Sequence, residues 1–420
     1  MGNKNKIFSG FFVKNGMDIP FLLIMLGLMA FGLVMLLSSS YAYSYYVTDG
    51  ESSLKYFFRE LVFMGAGLLV MYGFSKVDYK KLKYISNLFL VFSWGLVLLT
   101  IIIGKIKGGE INRWLNLGFI DIQPSEFAKF AVVLFCAVGL DMNHNKMVDK
   151  GPPKSEIWKA IIKATNGKLK ISQATVTLFF YMIVVTFTAF LVYKGSHLSG
   201  AILIMLFGVS MLWIGEGKWQ WFAIGIVAVA VVLFIAVNFY DDLPIKEYMK
   251  ERIASWVVKD LTDTDNRWQT NHSLFALGSG GFFGAGLGNS KQKYFYVSES
   301  HTDFIFSIIG EELGFVGCCV VLALFIVLIL RGMYIGMRAK DRFGALLAFG
   351  IMMQLGLQVV VNVAVVTDTL PNTGISLPFF SYGGSSTLVT LGEMGFLLAV
   401  SRQANLPRIY SLGKRKKKSV

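Results

Sequence analysis

The sequence has few of the charged residues that cover the surface of a soluble protein. Only 16% of its 420 residues are charged, whereas about a quarter are in an average soluble protein. The cysteines, Cys136, Cys318 and Cys319, have neither zinc nor disulfide spacing, so we expect them to be packing residues. The net charge of +14 comes from short basic clusters between apolar runs. This distribution excludes a basic face for nucleic acid, and the low charge excludes a soluble enzyme.

Long apolar runs dominate what is present. Hydrophobic residues make up 55% of the chain, and a spanning helix needs roughly 20 of them in a row. Runs of that kind start near positions 18, 56, 84, 125, 174, 198, 219, 303, 343 and 385. The pattern predicts an all-α, polytopic membrane domain over residues 1–420 with about ten transmembrane helices. A barrel would show short alternating segments instead.

The basic clusters predict the orientation of the helices. They follow the second, fourth and eighth runs, and a further cluster, Lys414 to Lys418, stands in a basic tail over residues 403–420. The positive-inside rule then places these loops and both termini in the cytoplasm. Binding of anionic lipid is the alternative role for the tail.

One loop on the opposite side, over residues 239–302, is much longer than the others. It contains a predicted amphipathic helix, Ile245 to Val258, and a glycine-rich stretch, Gly278 to Gly288. The stretch lacks the Lys-Ser/Thr ending of a phosphate-binding loop, so we interpret it as a tight packing turn. Long loops of this kind usually carry function.

Ionisable residues inside apolar runs are candidates for function because each is costly in lipid. Glu126 and Lys129 stand three residues apart on one helical face, where they either pair with each other or bind a ligand. Glu311 and Glu312 lie in the eighth predicted span, where they either pair with neighbouring cations or bind a cation.

The strongest cluster lies at the mouth of the eighth span. Asp303 stands where loop becomes helix, a position typical of a helix N-cap. A carboxylate at a boundary between water and lipid is also well placed as a general base. Glu299 and His301 are close enough in sequence to tune it.

Several cationic residues are predicted on the outer side of the membrane, although the positive-inside rule favours the cytoplasmic side for them. They are Arg113, Arg252, Lys259, Lys291 and Lys293. Phosphate on a lipid headgroup is the natural anion to hold them there. For Lys291 and Lys293 we favour ordinary solvated surface.

Four sequence blocks carry a resemblance to a known family. They are Asn112-Arg113-Trp114 with Gln123 to Glu126 and Lys129; Gln269 to Leu274 with Gly278 to Gly288; His301 to Phe304 with Gly310 to Gly314; and Leu370-Pro371 with Gly374 to Ser386. In order and predicted location these blocks resemble the SEDS family (shape, elongation, division and sporulation), which comprises FtsW, RodA and SpoVE. The resemblance covers essentially the whole chain.

The resemblance implies a peptidoglycan glycosyltransferase that joins lipid II units outside the cytoplasmic membrane of a bacterium. It implies a class B penicillin-binding protein as partner and Asp303 as the catalytic base. Asp303 would accept the proton of the acceptor's sugar 4-hydroxyl, and undecaprenyl pyrophosphate would leave with inversion. Arg113, Arg252 and Lys129 are expected to neutralise the pyrophosphate, with a divalent cation (Mg²⁺ or Mn²⁺) as a further candidate.

The same resemblance adds residues to the expected substrate-binding set, and it leaves alternative functions open. Further expected members are Trp114, Gln269, Glu299, His301, Ser381, Gly383 and Ser385. Before the sixth span, where the family often has an acidic Pro-Asp-x-Gly segment, this chain has Gly195 to Gly200 with His197 and no carboxylate. A lipid II flippase and a non-catalytic scaffold remain alternatives, as do roles in division, sporulation or elongation.

Overall fold

The computed structural model describes residues 16–106, 113–116, 118, 121–156, 158–159, 172–215, 223, 225, 247–258 and 267–404. The principal helices are α1 (Ile19–Val47), α2 (Lys55–Lys76), α3 (Leu82–Ile106), α4 (Pro124–Met142), α5 (His144–Val148), α6 (Gln173–Lys194), α7 (Leu198–Ile214), α8 (Glu247–Val258), α9 (Trp268–Ser279), α10 (Ile305–Met337), α11 (Arg342–Val366) and α12 (Gly384–Gln403). A short antiparallel pair, β1 (Leu115–Asn116) and β2 (Asp121–Ile122), sets Leu115 opposite Ile122. The predicted all-α class is confirmed.

The transmembrane pattern also agrees with the prediction. Among the described residues, seven helices are long and apolar enough to span a membrane, namely α1, α2, α3 with its preceding turn, α6, α10, α11 and α12. The 17-residue α7 and the 19-residue α4 complete the set. These nine helices begin within two residues of nine predicted starts. The seventh predicted span and nearly all of the 403–420 tail lie outside the described residues, and α8 corresponds to the predicted amphipathic helix.

Polar side chains fix where several helices begin. The Asp18 carboxylate accepts a hydrogen bond from the Phe21 amide at 2.9 Å at the start of α1. Asp341 likewise accepts from the Gly344 amide at 2.8 Å at the start of α11. Each cap satisfies an amide that the helix leaves without an internal partner.

Helix α4 lies at the centre of the bundle. It is buried along nearly its whole length and packs against α3, α7 and α11. Helix α12 lies along α2, and α10 lies against α1 and α11. Since α4 carries Glu126 and Lys129, the centre of the bundle holds charge as well as apolar side chains.

The glycine-rich stretch packs against a break in α10. Gly314 leaves the helical conformation with φ of 68°. The amides of Ala285 and Gly286 donate to the carbonyls of Glu311 and Glu312 at 2.9 and 3.0 Å. A Cβ on Gly284 would lie 2.1 Å from the Glu312 carbonyl oxygen, so no larger residue fits without a shift. The stretch is therefore a packing element that supplies partners to the broken helix, as interpreted from the sequence.

The predicted basic loops share one end of the bundle. Lys80, in the segment after α2, pairs with Asp341, in the segment after α10, at 3.2 Å. Arg331 and Arg338 lie in the last turns and at the end of α10, more than 25 residues along the chain from Asp303. The basic end is therefore opposite the end at which α10 begins.

Candidate active site

A cavity of about 500 Å³ lies where α4, α7, α10 and α12 begin. Helix N-termini carry partial positive charge, so this end favours anions. Eight residues expected from the sequence contribute to its wall: Arg113, Trp114, Glu126, Lys129, Gln269, Glu299, Asp303 and Gly383. The fold thus brings together side chains that are up to 270 positions apart in the sequence.

Asp303 lines this cavity and is half-buried. The N-cap interpretation was wrong, because α10 begins at Ile305 and its N-cap is Phe304. A turn precedes the helix, in which the Phe304 amide donates to the Glu299 carbonyl at 3.1 Å. This turn leaves the Asp303 carboxylate on the cavity wall.

Three hydrogen bonds fix the backbone that carries this carboxylate. The carbonyl of His301 accepts from the Tyr382 amide at 2.9 Å. The carbonyl of Thr302 accepts from Ser381 Oγ at 2.6 Å, and that of Asp303 accepts from Asn362 Nδ2 at 2.8 Å. Three consecutive carbonyls are thus held by the loop before α12 and by α11.

Gly374 places Arg113 beside Asp303. A Cβ on Gly374 would lie 3.1 Å from Asp303 Oδ2 and 3.5 Å from Arg113 Nη1. The carboxylate and the guanidinium therefore both border the space that a side chain at position 374 would occupy. The φ of 69° at Gly374 is one that residues with a Cβ rarely adopt.

The Glu126–Lys129 pair forms as an ion pair and also lines the cavity. Lys129 Nζ lies 2.7 Å from Glu126 Oε2, and both side chains are almost fully buried. Lys129 also donates to Gln358 Oε1 at 3.0 Å, and Ser386 Oγ donates to Glu126 at 3.4 Å. Lys129 has therefore already lost its water, so it loses no further hydration when an anion binds.

Further residues from the expected set stand at the rim. Glu299 is exposed and accepts from Thr302 Oγ1 at 2.5 Å. Gln269 accepts from Asn372 Nδ2 at 3.2 Å, which ties α9 to the loop after α11. Trp114 is shared with an adjoining cavity of about 330 Å³ that also includes Arg59. The two spaces meet at Thr302, Tyr382 and Gly383.

His301 does not line the cavity, contrary to the expectation that it binds substrate. Its buried ring packs against Tyr43 and Tyr56, at centroid distances of 4.5 and 5.0 Å. Burial lowers the pKa of His301 to about 4, so the ring is neutral at pH 7. It supports the turn before Asp303 by packing.

The side chains of Ser381 and Ser385 also bond to backbone atoms instead of lining the cavity. Ser381 accepts from the Leu377 amide at 2.7 Å, and Ser385 accepts from the Gln123 amide at 3.2 Å. Both are buried and neither lines the cavity, so the structure does not bring these two residues of the expected substrate-binding set to the site. For Arg252, the structure describes the α8 backbone alone, and its side chain, like Asn112 and Lys259, lies outside the described part.

Glu311 and Glu312 form a separate buried cluster. Lys293 Nζ pairs with Glu312 at 2.9 Å, and Ser38 Oγ donates to the same carboxylate at 2.6 Å. The Lys291 amide donates to Glu311 at 2.8 Å. Lys293 is buried, so the interpretation of solvated surface was wrong for it, whereas Lys291 is exposed. The cluster joins α1, the 288–293 segment and α10.

Three residues at the site were missed from the sequence. Gln358 and Asn362 lie one helical turn apart on α11, inside an apolar run, and that polar stripe was a detectable signal. His197 lines the cavity and bonds to Ser125 Oγ at 2.7 Å. The sequence shows that the family's carboxylate is absent from that loop, but nothing local in it indicates that the imidazole reaches the site.

The described residues do not fit a protein-built metal site. Within them, no three His, Cys, Asp or Glu side chains stand together as metal ligands. The acids on the cavity wall are Asp303, Glu299 and Glu126, and Glu126 is already paired with Lys129.

Comparison with known proteins gives a consistent result. The family model described as cell cycle protein, FtsW, RodA and SpoVE, matches residues 19–406. A probable peptidoglycan glycosyltransferase FtsW of Trichlorobacter lovleyi is 35% identical over 91% of this chain and 93% of its own length. Stage V sporulation protein E of Bacillus subtilis is 34% identical over 93% of this chain and 98% of its own length.

Solved structures share the fold. A chain of a peptidoglycan synthase complex, solved to show how polymerisation and crosslinking are coordinated, aligns with a TM-score of 0.66 at 24% identity, over 92% of this chain and 98% of that one. The rod shape determining protein RodA of Thermus thermophilus aligns with a TM-score of 0.60 at 24% identity. The alignment covers 93% of this chain and 98% of that one. At this identity the likeness shows the fold alone.

Proposed function

Because this chain belongs to the FtsW, RodA and SpoVE family of cell cycle proteins, we propose that it is a peptidoglycan glycosyltransferase that polymerises lipid II in a bacterial membrane. The observation that carries the proposal is the Asp303 carboxylate, held on the wall of a polar cavity beside Arg113. Relatives with 35% identity bear the name of this activity.

The chemistry follows from the position of that carboxylate. Asp303 accepts the proton of the acceptor's sugar 4-hydroxyl as the oxygen attacks the anomeric carbon of the donor. The new glycosidic bond forms as the bond from carbon to pyrophosphate oxygen breaks, which inverts the anomeric centre. General-base catalysis of this kind contributes roughly 10²- to 10⁴-fold to a rate.

The cations of the cavity stabilise the leaving group. Undecaprenyl pyrophosphate departs with the bonding electrons and gains negative charge. Arg113 and Lys129 line the same cavity as Asp303, and both are present before the reaction begins. Fixed charges of this kind stabilise a developing anion without reorganisation during the step. The adjoining cavity, of about 330 Å³, extends the space for sugar units beside the same wall.

The distribution of charge supports an outward-facing site. The basic loops share the end marked by the Lys80–Asp341 pair, which the positive-inside rule places in the cytoplasm. The cavity, at the opposite end, then faces the exterior, where glycan strands are needed. Both termini are proposed to be cytoplasmic.

A lipid flippase would concentrate its charged groups near the middle of the membrane. Here the charged residues that α4 contributes to the cavity, Glu126 and Lys129, are the third and sixth residues of a 19-residue helix. Their position near the helix end, beside the turn that bears Asp303, favours sugar transfer at the surface.

A class B penicillin-binding protein is the proposed partner, and division or sporulation is the proposed setting. The partner is suggested by the peptidoglycan synthase complex whose fold this chain shares. The setting is suggested by relatives named FtsW and stage V sporulation protein E at 34 to 35% identity. Copurification with the transpeptidases of the same genome tests the partner.

The deciding experiment is polymerisation of labelled lipid II by purified protein with its partner transpeptidase. Asp303→Asn is expected to make no glycan strands, and Asp49→Asn, in an exposed turn outside the cavity, is expected to keep wild-type yield. Asn tolerates the φ of 50° at position 49, so the control does not strain the backbone. Wild-type strand yield from Asp303→Asn would falsify the mechanism.

A further inference from the structure

His197 is the one imidazole among the described residues that line the cavity. It lies between α6 and α7 and is only 7% exposed. Its Nδ1 lies 2.7 Å from Ser125 Oγ, in the first turn of α4. Within the described part of the chain this is the one hydrogen bond of its side chain, so Nε2 remains available to a ligand.

The ring is fixed in place by its neighbours. A Cβ on Gly200 would lie 2.6 Å from Nδ1 of His197, so the glycine leaves the space that the ring occupies. The bond to Ser125 sets the rotation of the imidazole about its own axis. The ring therefore has a fixed orientation in the cavity wall.

Charged groups share the cavity wall with this ring. Arg113, from the segment before β1, and Lys129, from α4, act on the imidazole, and Glu126 pairs with Lys129 on the same helix. Asp303 lies farther along the cavity wall, beside Gly374. Burial, followed by the two cations, lowers the pKa of His197 to about 3, so the free protein holds a neutral ring next to two positive charges.

This combination fits an oxygen-rich anion. Two cations supply charge, and a neutral imidazole with a free edge supplies a directional hydrogen bond without adding repulsion between cations. We propose that His197 is a substrate-contacting residue whose Nε2 binds the pyrophosphate of the lipid-linked donor, together with Arg113 and Lys129. The assignment rests on the proposed function, which supplies the pyrophosphate.

Two substitutions separate contact with the ligand from support of the fold. In His197→Asn the amide occupies the place of Nδ1, so it keeps the bond to Ser125 and removes Nε2; Asn is also a favoured residue at the N-cap of α7. In His197→Gln the longer side chain carries its amide to the place of Nε2. His272→Gln, which lies outside the cavity and bonds to Gln292 at 2.8 Å, is the matched control.

The probe is farnesyl pyrophosphate, compared with farnesol, binding to purified full-length protein in detergent. Wild type is expected to prefer the pyrophosphate. His197→Asn is expected to lose about tenfold to a hundredfold in affinity for the pyrophosphate and nothing for farnesol, the loss expected for one charge-assisted hydrogen bond. His197→Gln is expected to retain more affinity than His197→Asn, and His272→Gln all of it. The melting temperature of each variant checks the fold.

The outcomes also separate this inference from the proposed function. Wild-type pyrophosphate affinity in His197→Asn, with Asp303→Asn inactive in polymerisation, overturns the inference and leaves the function intact. Equal loss for farnesol and for the pyrophosphate assigns His197 a structural role and also overturns it. Full polymerisation by Asp303→Asn removes the proposed function itself.

Discussion

Asn362 bonds to Asp303 and through that bond holds the reactive turn against the loop before α12. Its Nδ2 donates to the Asp303 carbonyl at 2.8 Å and to the Ile375 carbonyl at 2.6 Å. The side chain is 1% exposed and lies near the end of α11. A single amide in a membrane helix thus fixes the relative position of Asp303 and Gly374.

Replacing Asn362 is therefore expected to misplace Asp303, the proposed base. Asn362→Leu leaves two carbonyls without this donor, which costs about 1 to 3 kcal/mol for each buried group without a partner. We expect a fall in strand yield of tenfold or more that exceeds the fall in the amount of folded protein, because a base misplaced by 1 Å loses much of its rate. Thr367→Ala, which removes an exposed hydroxyl that bonds within its own turn, is the control and should leave yield unchanged.

The Glu126–Lys129 pair permits a separation of stability from substrate binding. Lys129→Met leaves the Glu126 carboxylate buried without its cation, and this should destabilise the protein by about 3 to 5 kcal/mol. The double variant Glu126→Gln with Lys129→Met should recover most of that loss, since no charge remains unpaired. Thermal unfolding and the polymerisation assay together check this. If the double variant also recovers activity, Lys129 has no role in binding the leaving group.

Gly374 is expected to be intolerant of any side chain. Gly374→Ala forces a Cβ to within 3.1 Å of Asp303 Oδ2 at a φ of 69°, and the backbone conformation alone costs roughly 1 to 2 kcal/mol. Gly281→Ala has a comparable φ of 54° but no atom within 4 Å of its new Cβ. Activity should fall sharply in Gly374→Ala and little in Gly281→Ala. Equal activity in the two variants would mean that the contact with Asp303 is unimportant.

Lys293 and Lys291 offer a matched pair two positions apart. Lys293→Met removes the cation from Glu312, whose side chain is fully buried, and should destabilise the protein by about 3 to 5 kcal/mol. Lys291 is exposed, so Lys291→Met should change the free energy of unfolding by less than about 0.5 kcal/mol. Chemical or thermal unfolding of both variants in one detergent is the measurement. Similar stability of the two variants would contradict the buried ion pair.

Stability should fall on mild acidification because of His301. Its pKa in the folded protein, about 4, is below the ordinary value of 6.5, so the neutral ring contributes stability that is complete above pH 6.5 and is lost as pH falls toward 4. Between pH 7 and pH 5 the contribution of His301 to this loss should be about 2 kcal/mol. His301→Phe, which keeps a ring among Tyr43, Tyr56 and Tyr382, should remove this contribution and leave that of His197, whose pKa is also lowered. An unchanged slope in melting temperature against pH would show that another group is responsible.

Much of the fold could be predicted because lipid imposes a simple rule. A span needs a long apolar run, and nine runs in the sequence became helices at the expected places. The ion pair between Glu126 and Lys129 was also accessible from the sequence, because a spacing of three places both residues on one helical face.

The roles of Ser381, Ser385 and His301 could not be predicted in this way. Each lies in a motif beside cavity residues, yet each turns away from the cavity toward backbone or aromatic partners. Adjacent residues in a turn point in different directions, and the direction depends on contacts with segments far along the chain. Lys293 was misassigned for the same reason, since its partner Glu312 belongs to another element.

By itself the sequence determined that the chain is a bundle of membrane helices, which residues carry charge into that bundle, and the family that it resembles. The tertiary structure alone decided which charged and polar groups share one cavity. It set Asp303 and Arg113 on either side of Gly374, and it brought His197 to the wall of the same cavity. The length of an apolar run is a local property of the chain. A site depends on contacts between distant segments, and the packing of the helices fixes those contacts.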